Sequence, residues 1–350
     1  MDHHSIIGLD IAKSVFQVHR TDPSGKVLER RTLRRGALLA YFEKLPPSLI
    51  GLEACASAHH WARSLAALGH DVRLIAPAYV KPYVRRQKND AADAQAIAEA
   101  VSRAHMNFVP VKSIAQQSAL MVHRVRDILI KQRTMLINAL RGHLAEFGLV
   151  SAKGREGAAA LIRLVEAEPA ESPLDPVALR ALRPVTRRLA DLQEEISGLD
   201  LQLLEWHRNS KTSRLLASIP GIGVVNATAL AASLGDGSAF RSGRQLAAWL
   251  GLVPRQNSTG GKARLGRITK QGDPYLRRLL VLGATAAMKP YRGKGAGRVV
   301  GPYPWAGDLL ERKSYRLTSV ALAGKMARIV WAVLNTGRPY RANYKREISV

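Results

Sequence analysis

The sequence predicts an α/β domain followed by an all-α remainder. Three observations point to it. The N-terminal part is a series of short apolar or alternating runs broken by turn residues; long stretches with apolar residues at helical spacing follow; the last third is again helical in pattern but strongly basic. A chain of 350 residues is too long for one ordinary core. Two or three domains are therefore expected, and the pattern along the chain divides it over residues 1–110, 111–211 and 212–350.

Residues 5–11 and 15–20 are short apolar runs, and residues 27–33 alternate as a strand does. The segment Asp22-Pro-Ser-Gly25 supplies a turn, so the three strands form an antiparallel meander. A helix over residues 37–44 ends at Pro46 and Pro47. A buried strand over 49–54, a helix over 58–68 closed by Gly69, and a strand over 72–76 come next. Residues 90–104, rich in alanine, form a helix. The order βββαβαβα gives a mixed sheet covered by helices, as in the ribonuclease-H-like fold.

Carboxylates fall at marked points of this scheme. Asp10 ends the first strand in IIGLDIAKS, and Glu53 ends the fourth in LIGLEACAS. Each interrupts an apolar run, where a charge is costly unless paired or bound to a cation. Asp90 and Asp93, three apart at the start of a helix, point to the same side. Asp90 is also a good helix N-cap, and Asp93 suits the helix dipole. Asp10 and Glu53 have no equally good structural account. Four carboxylates at one sheet edge would hold one or two hard divalent cations, with Mg²⁺ the natural choice.

Residues 113–147 contain no proline, and Leu120, Val125, Ile128, Leu136 and Leu140 recur at helical spacing. Arg124, Arg126, Lys131, Arg133 and Arg141 make the other face basic. Residues 177–206 form a second long amphipathic helix, and an Ala/Gly/Glu/Pro-rich connection over 151–176 holds a short helix and loops. The two long helices read as an antiparallel pair or coiled coil, serving either an internal core or dimerisation.

Charge is unevenly placed in this chain of formal net charge +26. From Arg241 onward there are 22 Lys/Arg against four Asp/Glu. Such one-sided charge implies an extended polyanion, most naturally nucleic acid. No run reads as long enough to span a bilayer, and MDHHSIIGLD is not a signal peptide. The single cysteine, Cys55, excludes an intramolecular disulfide and a Cys-based zinc cluster and fits reducing cytoplasm. Residues 215–236 read as helix, Pro-Gly-Ile-Gly turn, helix. In that helix-hairpin-helix pattern Gly221 and Gly223 bring turn amides to a phosphate, the alternative being a packed helical turn.

The stretch PRQNSTGGKARLGRITKQGDPYLRR, residues 254–278, carries seven Lys/Arg and one acid, Asp273. It reads as a basic loop in which Ser258 and Thr259 precede Gly260 and Gly261, so a phosphate could sit close to backbone and hydroxyl. Arg255, Lys262, Arg264, Arg267 and Lys270 would neutralise phosphate charge, while Arg277 and Arg278 follow on a helix and serve structure or backbone contact. Residues 289–305 place Tyr291, Tyr303 and Trp305 among cations, a pattern that suits stacking on unpaired bases or a mobile loop. A last apolar helix over 318–334 leads to a Tyr/Arg-rich terminal arm.

The strand-end Asp in GLDIAKS, the strand-end Glu in GLEACASAH and the pair in KNDAADAQAIAEA together resemble the Asp-Glu-Asp-Asp signature of the DEDD transposases of insertion sequences, whose acidic domain is similar to Holliday-junction resolvases of the RuvC type. The stretch GLVPRQNSTGGKARLGRITKQGDPYLRRLL resembles the C-terminal domain of the same transposases. The family is the one numbered one hundred and ten, including its eleven-eleven group. The resemblance implies a DNA recombinase in which Ser258, or its neighbour Thr259, attacks donor and target DNA and forms a covalent link. Mg²⁺ held by Asp10, Glu53, Asp90 and Asp93 would assist. It further implies guidance by a structured non-coding bridge RNA, and a homo-oligomer, dimer or tetramer, whose protomers share the site. Alternatives are a RuvC-like metal-dependent junction-resolving endonuclease, a non-catalytic nucleic-acid-binding protein, and an actin-like ATPase for which no second phosphate loop is found.

Overall fold

The computed structural model describes residues 5–84, 90–257, 259, 262, 264–292 and 301–342. Ser258, Gly260, Gly261, the middle of the Gly-rich basic segment and the terminal arm, all singled out above, lie outside the described residues. The chain divides into two compact units, Met1–Ser113 with Gly237–Arg241, and Ile114–Asp236 with Ser242–Val350.

In the first unit β1 (Ile6–Ile11), β2 (Val15–Thr21) and β3 (Val27–Arg34) form the antiparallel meander. Then come α1 (Leu38–Phe42), β4 (Leu49–Glu53), α2 (Ala58–Ala67), β5 (Asp71–Ile75), α3 (Pro77–Val80), α4 (Asp90–Val101) and β6 (Phe108–Val109). The sheet runs β3-β2-β1-β4-β5-β6. β4 is parallel to β1 and to β5, and β6 is antiparallel to β5. This mixed α/β sheet is consistent with a ribonuclease-H-like domain. Within this unit the sequence predicts neither α3, of four residues, nor β6, of two, because both are too short to show a period.

The two faces of the sheet are filled differently. Ile7, Leu9, Phe16, Ile50 and Leu52 pack with Leu38, Phe42, Trp61 and Leu65 of α1 and α2. Ile6 and Leu49 lie with Ala96, Ile97, Ala100 and Val101 of α4. Because strand side chains alternate, Gly8 and Asp10 share the α4 face of β1, and Gly51 and Glu53 that of β4.

The second unit is helical: α5 (Ile114–Ala145), α6 (Arg155–Glu166), α7 (Pro176–Asn209), α8 (Lys211–Leu216), α9 (Val224–Leu234) and α10 (Gly243–Trp249) precede a hairpin of β7 (Pro254–Gln256) and β8 (Leu265–Ile268), and α11 (Pro274–Ala287), α12 (Pro304–Leu310) and α13 (Tyr315–Thr336) follow. α5 and α7 are antiparallel, since Arg126 bonds Asp200 while Arg133 bonds Gln193, and Leu140 and Leu144 meet Leu179 and Leu182. α9 is the buried centre, packed by α5, α7, α8 and α11.

The basic stretch is a hairpin rather than a loop: Pro254 pairs with Ile268, Gln256 with Leu265 and Thr259 with Lys262, and Asn257 N–H donates to the Arg264 carbonyl at 2.9 Å. Strands so short and exposed on both faces carry no apolar alternation to read. In addition, α13 is long and apolar enough to cross a membrane by length and composition. It is instead a core helix, with Leu322, Ala323, Met326, Ala327 and Val330 fully buried against neighbouring helices of its unit.

Candidate metal centre and nucleic-acid interface

Two glycines set the acidic centre. A methyl group at Gly8 would lie 1.9 Å from the Ala94 carbonyl oxygen and 2.5 Å from the Ala98 nitrogen. One at Gly51 would lie 2.8 Å from Val101 Cβ. The sheet therefore takes α4 at backbone distance only because both positions lack a Cβ. Along α4 the buried stripe Val101, Ile97/Ala98 and Ala94 continues toward its start as Asp93 and Asp90. Two residues beyond each glycine, on the same face, come Asp10 and Glu53. Close packing of helix on sheet thus delivers the carboxylates to one place.

Oxygen atoms of Asp10, Asp90 and Asp93 all lie within 4.8 Å of one another. Burial pushes the Asp10 carboxyl up to about 6, and the charges of Asp93, Asp90 and Glu53 push the same way; only the Ile11 amide opposes. Burial and Asp93 likewise raise Glu53. Partial desolvation raises the Cys55 thiol, and the charges of Glu53 and Asp10 push the same way. Hard oxygen donors that repel one another, with Asp10 and Glu53 half-buried, fit a divalent cation by the chemistry of the donor set. Of the four predicted acids, Asp10, Asp90 and Asp93 form the tight group, and Glu53 acts on it electrostatically from the neighbouring strand end.

On the hairpin, Arg255, Lys262, Arg264, Arg267 and Lys270 are all exposed. Lys270 has a φ of 57°, and its N–H donates to the Gly251 carbonyl at 3.1 Å. The next two arginines are engaged within the fold. Arg277 donates to the carbonyls of Gln271 and Leu250 at 2.8 and 3.1 Å. Arg278 pairs with Asp127 of α5 and lies 5.2 Å from the Tyr275 ring centre. Asp273, the lone acid, caps α11 through Tyr275 N–H at 2.7 Å and pairs with Arg124 at 3.0 Å. Gly221 has a packing role: its φ is +89°, and a Cβ there would lie 2.5 Å from the Gly283 carbonyl on α11. Gly223 is the N-cap residue of α9 and makes no side-chain cap.

Sequence reasoning missed the buried polar tie of the second unit. His123 of α5 lies 2.9 Å from Tyr275 Oη on α11 and 3.0 Å from Thr228 Oγ1 on α9. The Thr228 hydroxyl donates to the Val224 carbonyl at 2.8 Å, so His123 Nε2–H donates to Thr228 and Nδ1 accepts from Tyr275. Burial, with Arg126 and Arg124, lowers the imidazole to about 4 and keeps it neutral. A single histidine within an apolar period carries no signal of such partners; the glycine two places before each strand-end carboxylate does carry one.

The same segments are matched in known proteins. Residues 7–148 match the DEDD transposase profile, and residues 213–296 match that of the Transposase IS116/IS110/IS902 family. A probable family 20 transposase of Pseudomonas aeruginosa is 49% identical over 96% of this chain and 98% of its own length. The chain belongs to the IS110/IS1111 family of DEDD transposases. Two further relatives are the transposase of insertion element IS1111A from Coxiella burnetii, 39% identical over 96% of this chain and 91% of its own, and that of IS1328 from Yersinia enterocolitica, 38% identical over 96% and 98%. This transposase therefore acts on DNA in the movement of an insertion sequence, and the acidic cluster of its DEDD domain accords with use of a divalent metal.

Proposed function

We propose that this transposase is a site-specific recombinase that cuts and rejoins DNA through a serine ester, with residues 1–110 holding Mg²⁺, 111–211 serving assembly and 212–350 supplying the nucleophile. The observation that carries the metal half is the mutual approach of Asp10, Asp90 and Asp93 beside Glu53. Bound there, Mg²⁺ would supply charge neutralisation for phosphodiester exchange.

The Ser258 hydroxyl attacks a DNA phosphorus. A phosphoserine ester forms, a phosphorus–oxygen bond to deoxyribose breaks, and the serine proton passes to the departing sugar oxygen. Attack by a sugar hydroxyl of the second strand reverses these changes and frees the serine. Arg255, Lys262, Arg264, Arg267 and Lys270 offset charge on the phosphate, which their exposure on the hairpin allows. The turn at Gly221 and Gly223 adds a backbone contact to the helix-hairpin-helix reading. A bridge RNA accounts for part of the +26 charge. Assembly into a homo-oligomer is supported by Ile114, Met121, Ile128 and Met135, exposed along α5 and each seven residues apart.

The test is a denaturing gel of protein–DNA adducts. Wild type forms a covalent adduct and Ser258→Ala forms none. Strand nicking by wild type without any adduct would instead identify a hydrolytic junction-resolving endonuclease. Sequencing the nucleic acid that co-purifies with the protein checks the bridge RNA.

A further inference from the structure

The aromatic and basic residues near Trp305 are not used by the chemistry above. Their described part forms one wall of a cavity of about 430 Å³ within the second unit. Pockets for small organic ligands span about 300–1,000 Å³. Tyr303 and Trp305 come from the start of α12, Lys325 from α13, and Arg338, Tyr340 and Arg341 from the segment after α13. Among the described residues, the lining includes these three cations and no carboxylate.

The wall is built rather than loose. Tyr303 is buried; its hydroxyl donates to the Pro220 carbonyl at 2.9 Å, and its N–H donates to Tyr291 Oη at 3.0 Å. Tyr340 N–H donates to Ser218 Oγ at 2.9 Å, which holds its ring 6.3 Å from that of Tyr303. Lys325 Nζ lies 4.9 Å from the Trp305 ring centre, and burial together with Arg328 lowers its ammonium pKa. Trp305 nonetheless keeps 40% of its surface exposed. Flat aromatic surface beside several cations selects a ligand that is planar at one end and anionic at the other.

We propose that this cavity binds one unpaired nucleotide of a single-stranded DNA or RNA, its base stacked on the Trp305 and Tyr340 side and its phosphate held by Arg338 and Arg341. A base in a duplex has both faces already stacked, so only an unpaired one has a face to offer. The inference rests on the reading of the chain as a DNA-acting transposase. It adds a place at which a melted or single-stranded segment is held apart from the acidic and hairpin residues.

The test uses full-length protein as wild type, Trp305→Ala, Trp305→Phe and Lys325→Gln, each compared first for thermal midpoint. The probes are fluorescent oligothymidylate, oligouridylate, an abasic strand of the same length, and duplex DNA. Trp305→Ala should weaken binding of the base-bearing strands by roughly tenfold while leaving abasic-strand and duplex affinity unchanged. Trp305→Phe should restore most of the loss, and Lys325→Gln should weaken the same strands. The tighter of the two base-bearing probes identifies DNA or RNA as the source.

Wild-type affinity for base-bearing strands in Trp305→Ala would overturn the proposal, as would an equal loss on the abasic strand. Cleavage of donor DNA is followed in parallel. If the transposase reading fails, wild type cuts nothing however strands bind; if only the cavity reading fails, wild type cuts while Trp305→Ala binds as wild type does.

Discussion

The transposase contains two groups of aspartates in opposite surroundings. In the first unit Asp10, Asp90 and Asp93 face one another, and the charges acting on Asp10 are further carboxylates. In the second, Asp127 pairs with Arg278 and Lys131, Asp200 with Arg126, and Asp273 with Arg124. Asp10 is pushed up to about 6. Burial would raise Asp127 too, but hydrogen bonds and charge from Lys131 and Arg278 outweigh it and hold Asp127 below its ordinary value. A fold that pairs Asp127, Asp200 and Asp273 with cations but crowds Asp10, Asp90 and Asp93 together carries the crowded ones at a cost to stability, which a bound cation offsets. Paired acids hold helices together; crowded acids hold something else.

The largest effect should come from breaking the crowded group. Asp10→Asn should lower strand cleavage by roughly a hundredfold to a thousandfold, the scale of several kcal/mol of lost charge stabilisation. Yet in metal-free protein near neutral pH its thermal midpoint should equal or exceed that of wild type, because a repelled charge is gone. Activity assays and differential scanning calorimetry on one preparation measure both.

Gly8→Ala should act on both properties at once. The added methyl meets the α4 backbone, so α4 must shift; overpacking of this kind costs about 3 kcal/mol, read as a lower urea midpoint, and cleavage falls with it. An alanine variant with wild-type stability would remove the glycine account of how the acids are brought together. Smaller still is the effect expected of Asp127→Asn. Its cationic partners are exposed, so the loss should be about 1 kcal/mol in chemical unfolding, with cleavage otherwise intact.

The acidic centre was legible because each of its strands ends an apolar run with a carboxylate and because Asp90 and Asp93 open an alanine-rich helix. Alternation fixed their shared face. The second unit was legible only as helices, since the partners of His123 come from residues 105 and 152 positions away. The sequence leaves Arg278 equally a backbone contact or a structural residue, and its pairing with Asp127, 151 positions away, decides for structure. The hairpin bearing the cations was not legible as strands, because every residue of β7 is exposed and the pattern that marks a strand is burial on one side.

Thermal unfolding across pH, with and without Mg²⁺, tests the central claim that the crowded acids form a cation site. The folded Asp10 pKa, about 6, lies above its ordinary 3.8, so its contribution to stability is complete below about pH 4 and is lost as pH rises through about 6. Mg²⁺ should therefore raise the midpoint more near pH 7 than near pH 4 in wild type, and the Asp10→Asn, Asp93→Asn double variant should lose most of that rise. An equal Mg²⁺-dependent rise in the double variant, or none in wild type, would contradict the account.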